Sequence, residues 1–207
     1  MIVYKLTNQK MQTHGGFQWE LGKQYTTGYS GDYPRLCSPD VFHAYSSPEL
    51  ALLLNPIHAD FYSPRLFKAR GEGTNVIEWD KSGHTSLKLV EELHLVITTT
   101  TQRTAFGILC AQKVCKDKTW QEWARNWLSG KDRRRGSDAH DAYAAAGYAA
   151  AAAHAAYAAY AAHAAYAAAA YTAAYAASYT ASYTAAAAAA VNISINFNLL
   201  AKKAMKY

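Results

Sequence analysis

In the stretch LCSPDVFHAYSSP, Cys37 and His43 stand six residues apart. A thiol and an imidazole are the raw material of nucleophilic catalysis, the ring taking the proton as sulfur attacks. No third group that would orient the ring is recognisable nearby, so the pair reads as structural. His58, in LLNPIHADF, follows a helix end and reads as buried or as satisfying backbone carbonyls. His14 and His84 fall in glycine-bearing turns and read as surface residues. Three cysteines, Cys37, Cys110 and Cys115, form no C-x-x-C pair, which suits reduced thiols better than a disulfide framework. No metal site and no cofactor is read from the sequence.

Two further groups bear on binding. Trp120, Trp123 and Trp127 share one helical face with Leu128; such a stripe is read as core, because one helix face must bury against something. Lys131 with Arg133, Arg134 and Arg135 could meet phosphates, and binding of that kind would weaken steeply with salt. The run GKDRRRGSDAHD reads better as a solvated hinge, since a net charge of +6 is mild and no aromatic residues are interleaved with it.

The elements that must position these groups are legible by pattern. MIVYKL reads as a strand with Ile2 and Tyr4 on one face and Val3 on the other, and nothing resembling a signal peptide opens the chain. Glycines punctuate residues 15–31, and FQWE and KQYTT read as short strands between turns. Ser46 or Ser47 caps a helix that begins with Pro48 and Glu49, carries Leu50 and Leu52–Leu54, and ends at Pro56. Residues 65–73 and 85–97 read as strands. From Thr98 the pattern turns helical, with threonine caps before Phe106, Leu109, Cys110 and Val114. Thr119 and Glu122 form a capping box for the tryptophan helix, and Gly130 stops it.

Residues 142–190 differ from everything before them. They contain 32 Ala, 9 Tyr, 3 Thr, 2 Ser, 2 His and 1 Gly, and no charge occurs between Ala142 and Ala201. Alanine loses no side-chain entropy in a helix, so this segment is expected to be helical, about 74 Å long as one rod. His154, Tyr157, Tyr160, His163 and Tyr166 recur every three residues, whereas Tyr171, Tyr175, Tyr179 and Tyr183 recur every four. The stripe therefore winds one way and then back, and makes no coiled-coil seam. The lack of Leu, Ile, Val and Phe argues against a membrane span, and the lack of Glu and Lys argues against an inert spacer. Small alanines with broad tyrosine faces suit packing, and Tyr157, Tyr160, Tyr166, Tyr171, Tyr175, Tyr179 and Tyr183 are the expected self-association surface. Beyond it, VNISINF alternates as a strand would, and NLLAKKAMKY reads as an amphipathic helix with Leu199, Leu200 and Met205 to bury.

The expected architecture is α+β: a β-rich domain over 1–97, a helical pair over 98–130, a hinge over 131–141, the Ala/Tyr-rich segment over 142–190 and a docking tail over 191–207. The elements VYK, GGFQWELGKQY and LC followed by FHAYSSP resemble a small uncharacterised domain encoded by phages and prophages. LLNPIHADFYSPRLFKARGEG, TSLKLVEEL and ILCAQKVC with WARNWLSGKDR resemble a longer subset that carries an alanine-rich tail. Val41 stands where that pattern has Gly, and this tail has lost nearly all charge. The resemblance implies a phage origin, with the host cytoplasm or virion as location and a phage or host protein, or further copies of the chain, as partner. The order of Tyr-Lys strand, Gly-rich turns and Phe42-His43-Ala44-Tyr45 is also similar to ADP-ribosyltransferase-like folds. That analogy implies an NAD pocket lined by His43, Tyr45 and Ser46, with Glu72 or Glu78 as the carboxylate. The leading expectation is a non-enzymatic binding or assembly protein.

Overall fold

A computed structural model describes residues 1–78, 81–114, 118–131, 185 and 194–207. They fall into two compact units, Met1–Ile97 and Thr98–Tyr207. The Ala/Tyr-rich segment, apart from a helical and buried Ala185, and the arginines of the hinge lie outside the described residues.

The first unit is a five-stranded antiparallel sheet with one α-helix and a short 3-10 turn at His14–Gly16. Its elements are β1 (Ile2–Thr7), β2 (Gln24–Thr26), β3 (Phe42–Ala44), α1 (Pro48–His58), β4 (Arg65–Ile77) and β5 (Ser82–Leu93). The strand order is β1-β4-β5-β2, and β3 also pairs with β5. β4 and β5 form a long hairpin from Leu66–Leu93 to Ile77–Ser82, with register shifts at Lys68/Ala69 and Glu72/Asn75. Such irregularities sharpen strand twist and bend the ladder. β2 occupies the far edge of β5 at residues 86–88, and β3 follows on the same edge at 82–84. Directly after β3, Tyr45 and Tyr4 exchange two N–H···O bonds of 2.8 Å. The pairing thus returns to β1, and the circuit β1-β4-β5-β3-β1 closes, leaving fewer edges unpaired.

Strand alternation fills the core with Val3, Trp19, Ala44, Phe67, Ala69, Leu87 and Leu89, with Met11, Tyr25 and Phe42 packed against them. The expected strand at FQWE is absent: Gln18 makes only an isolated bridge to Gln12. Trp19 instead turns inward, its backbone N–H donating to Met11 O and its indole N–H to Thr13 Oγ1, both at 2.9 Å. KQYTT contracts to Gln24–Thr26. The strand expected over 85–97 begins earlier and ends at Leu93.

For α1 the cap is Ser47, whose hydroxyl accepts the Leu50 N–H at 3.1 Å. Leu50–Asn55 are all buried, and the helix packs on β1. Pro56 does not end it. Proline removes one amide donor, but the carbonyl of Asn55 still accepts from Ala59 and Asp60, and the helix runs to His58.

The second unit contains α2 (Thr100–Val114), α3 (Lys118–Leu128) and α4 (Phe197–Ala204). Thr99 and Gln102 cap α2 reciprocally, side chain to backbone, at 3.1 and 2.9 Å. α3 already begins at Lys118, so Thr119 lies inside the helix and is not its cap. Trp120, Ala124 and Trp127 are buried while Trp123 is half-buried, so the tryptophan stripe is core centred on two of its three rings. Gly130, at φ 82°, ends the helix with its N–H on Trp127 O. Ser194–Asn196 are not a strand. Asn196 caps α4 through the Leu199 N–H at 2.9 Å. Phe197, Leu200, Ala201 and Ala204 form its buried face, leaving Leu199 exposed. α4 packs on α2, and Gln102 Nε2 donates to Met205 O at 2.9 Å.

Candidate functional site

A connected set of polar groups surrounds β3. Alternation turns Phe42 and Ala44 to the core cluster and gives His43 the opposite face. The same rule puts Lys5 on the face of Val3, so a lysine projects into the core. Its Nζ donates to the His43 carbonyl at 2.6 Å and lies 5.3 Å from the Trp19 ring centroid. Among the described residues no carboxylate pairs with it. Burial without a counter-charge brings the amine down from 10.5 to about 8.

His84 contradicts the surface expectation. It lies in β5, 1% exposed, with Nε2 2.9 Å from Ser82 Oγ and Nδ1 unpartnered. The ring fits because position 71 is glycine: a Cβ there would meet Nδ1 at 2.5 Å and Cγ at 2.6 Å. Burial holds the imidazole below its usual range, reinforced by the positive charges of the chain's amino terminus and Lys5. Ser82, Gly83 and His84 are buried in succession beside the Glu72/Asn75 register shift, flanked by β3 on one side and β4 on the other.

Cys37 is exposed and adopts φ 59°. The Cys37–His43 pair does form, but through the backbone: the Cys37 N–H donates to His43 Nε2 at 2.9 Å. With that nitrogen accepting an amide, the ring is not placed to take the thiol proton. The sulfur instead accepts a 3.2 Å hydrogen bond from Lys81 Nζ.

The other expected site residues do not gather. Tyr45 is buried, its ring stacked on His58 with centroids 5.8 Å apart and planes at 16°. Ser46 is exposed beside the capping Ser47. Glu72 and Glu78 are exposed. Glu72 lies in the ladder row Thr26–Ser86–Glu72, whereas His43 lies in the row His43–Gly83–Val76. Those rows are three residues apart along β5, about 10 Å at ~3.3 Å per residue. Lys131 is exposed just after α3. Two clefts of about 420 and 520 Å³ adjoin at Gln9 and Ser63, and none of these expected residues lines either.

Lys5 and Lys81 were not singled out from the sequence, and His84 was read there as a surface residue. Lys5 was readable, since it shares the parity of Val3 along β1. His84 was not, because Leu87 and Leu89 set a parity that turns position 84 outward. Lys81 reaches Cys37 only through the β3–β5 pairing. The chemistry on offer is a thiol and an amine in contact at the surface, with a buried amine and a buried imidazole elsewhere in the same unit. Set beside protein-family models, curated proteins and solved structures, the chain matches none of them.

Proposed function

We propose that this chain is a non-enzymatic phage protein that works by binding and assembly, its α+β part serving as the head and its Ala/Tyr-rich segment as the helical assembly surface. The observation that carries the reading is compositional: sixty consecutive residues, 142–201, contain no Asp, Glu, Lys or Arg. Nothing in such a stretch opposes association, and tyrosine supplies wide contact area at modest entropic cost. Two features add support. The stretch ends within α4, which is seated on α2, so its far end is anchored within its own unit. The residues of the enzymatic alternative are occupied in scaffolding, with His43 accepting the Cys37 amide and Tyr45 stacked on His58. Host or phage proteins, or copies of the chain, are the partners this reading favours.

Light scattering on the intact protein tests it, alongside a variant in which Tyr157, Tyr160, Tyr166, Tyr171, Tyr175, Tyr179 and Tyr183 are all serine. The intact chain is expected as a defined oligomer and the variant as a helical monomer. An oligomer that survives both this variant and deletion of 142–190 overturns the reading.

A further inference from the structure

We propose that Cys37 is a peroxide-sensitive modification site whose oxidised sulfur is captured by Lys81 in a covalent sulfur–nitrogen link. The proposal is independent of whether the chain assembles. Its basis is a pair of side chains, not the thiol alone: Lys81 Nζ is 3.2 Å from Cys37 Sγ, and the thiol is open to solvent.

Both backbones are tied to one piece of framework. Cys37 is fixed by its N–H on the His43 ring, and the turn around it by Ser38 Oγ on Arg35 O at 2.8 Å and by the Arg35 N–H on Asp40 Oδ2 at 3.1 Å. Lys81 is fixed by its carbonyl, which accepts the Glu78 N–H at 2.9 Å, and by Ser82, which pairs with Ala44. β3 therefore holds the sulfur from one side and the amine from the other. Cys37 is also the one cysteine in residues 1–97, and Cys110 is fully buried. An oxidised sulfur at position 37 thus has an amine, and no neighbouring thiol in its own unit, to react with.

The step balances with one molecule of hydrogen peroxide. The Cys37 sulfur, having given its proton to solvent, attacks one peroxide oxygen and the O–O bond breaks. The departing oxygen takes a proton from the Lys81 ammonium and leaves as water, giving a sulfenic acid beside a neutral amine. The amine lone pair attacks sulfur, the S–O bond breaks, and a second water leaves. Thiol, ammonium and peroxide have become a sulfenamide, two waters and one proton. Sulfur has lost two electrons and peroxide has gained them. An added thiol reverses the link by attacking sulfur and releasing the amine. While present, the link ties the turn before β3 to the residue that precedes β5.

The test is peptide mapping of the full-length protein after brief treatment with hydrogen peroxide, free thiols being blocked with iodoacetamide. Trypsin is expected to yield Leu36–Arg65 joined to Gly71–Lys88, about 2 Da lighter than the two peptides summed, and separated again by dithiothreitol. Lys81→Arg keeps the charge but offers no condensing amine, so the joined peptide should vanish while dimedone labelling of Cys37 rises. Cys37→Ser should show neither product. Circular dichroism confirms that both variants keep the fold. Equal dimedone labelling of Cys37 in the parent and in Lys81→Arg, without a joined peptide, overturns the capture. A Cys37 that stays fully alkylatable after peroxide overturns the proposal as a whole.

Discussion

The side-chain amine of Lys5 donates a 2.6 Å hydrogen bond to the carbonyl of His43, 38 residues further along the chain. It does so from inside the core, so one strand's charge is spent on the backbone of another. A buried amine must either lose its proton or hold it at a cost, and that choice can be measured.

Lys5 should make stability rise with pH on the alkaline side. Its folded value, about 8, lies below the ordinary 10.5, so between the two the unfolded chain binds the extra proton. Below 8 both states are protonated and the burial cost is constant; above 10.5 neither is. The gain across that window is roughly 3 kcal/mol, at about 1.4 kcal/mol per unit. Urea titrations of the parent and of Lys5→Met should diverge there, the variant lacking the rise. Tyrosines, ionising near about 10, are common to both proteins and cancel in the difference. Parallel curves would show that Lys5 is solvated.

His84 should act on the acid side. Burial favours its neutral form, so its contribution is complete above the ordinary 6.5 and is lost as pH falls through the folded value, where the unfolded chain alone takes up the proton. His84→Gln keeps a polar partner for Ser82 and should reduce the slope below pH 6.5 by at most about 1.4 kcal/mol per pH unit. An unchanged slope would assign acid sensitivity to other groups.

Gly71→Ala should destabilise the first unit by about 1–3 kcal/mol, because the new methyl meets the His84 ring at 2.5 Å. Adding His84→Ala should recover much of that loss, a coupling of about 1 kcal/mol or more in a double-mutant cycle. Strict additivity would place the strain elsewhere.

Asn196→Ala should cost about 1 kcal/mol, since the side chain caps α4 through the Leu199 N–H. The loss should appear as faster amide exchange in Phe197–Ala204. Equal protection with and without the side chain would show that packing on α2 alone holds the helix.

Much of this architecture could be read from residue pattern, and the reasons for the failures are physical. β1, the Pro48 helix, β4 and the helices after Thr98 announce themselves through periodicity and caps, which are local properties. FQWE looked like a strand because glycines punctuate it on both sides, but Trp19 is a core plug, and tertiary burial overrode the pattern. α1 passed Pro56 because proline removes a single donor, while the Asn55 carbonyl still accepts from Ala59 and Asp60. Cys37 and His43 read as structural residues from the sequence, but nothing in their spacing announced that the amide of one would meet the ring of the other. His84 and Lys81 owe their places to strand pairings more than forty residues from Cys37 and His43, which no local pattern encodes.

The return of the pairing from β3 to β1 through Tyr45 and Tyr4 bears on how the chain is made. β1 leaves the ribosome before the strands it pairs with, and its ladder partner begins only at Arg65. At about 5–20 residues per second, the edge that β4 will cover waits roughly 3–12 s unpaired. Its own buried lysine helps during that wait, since an ammonium in the middle of a nascent strand discourages pairing with neighbouring chains. The same residue that costs stability once enclosed serves as a gatekeeper before enclosure, its ammonium passing from open water to the His43 carbonyl as the circuit closes around it.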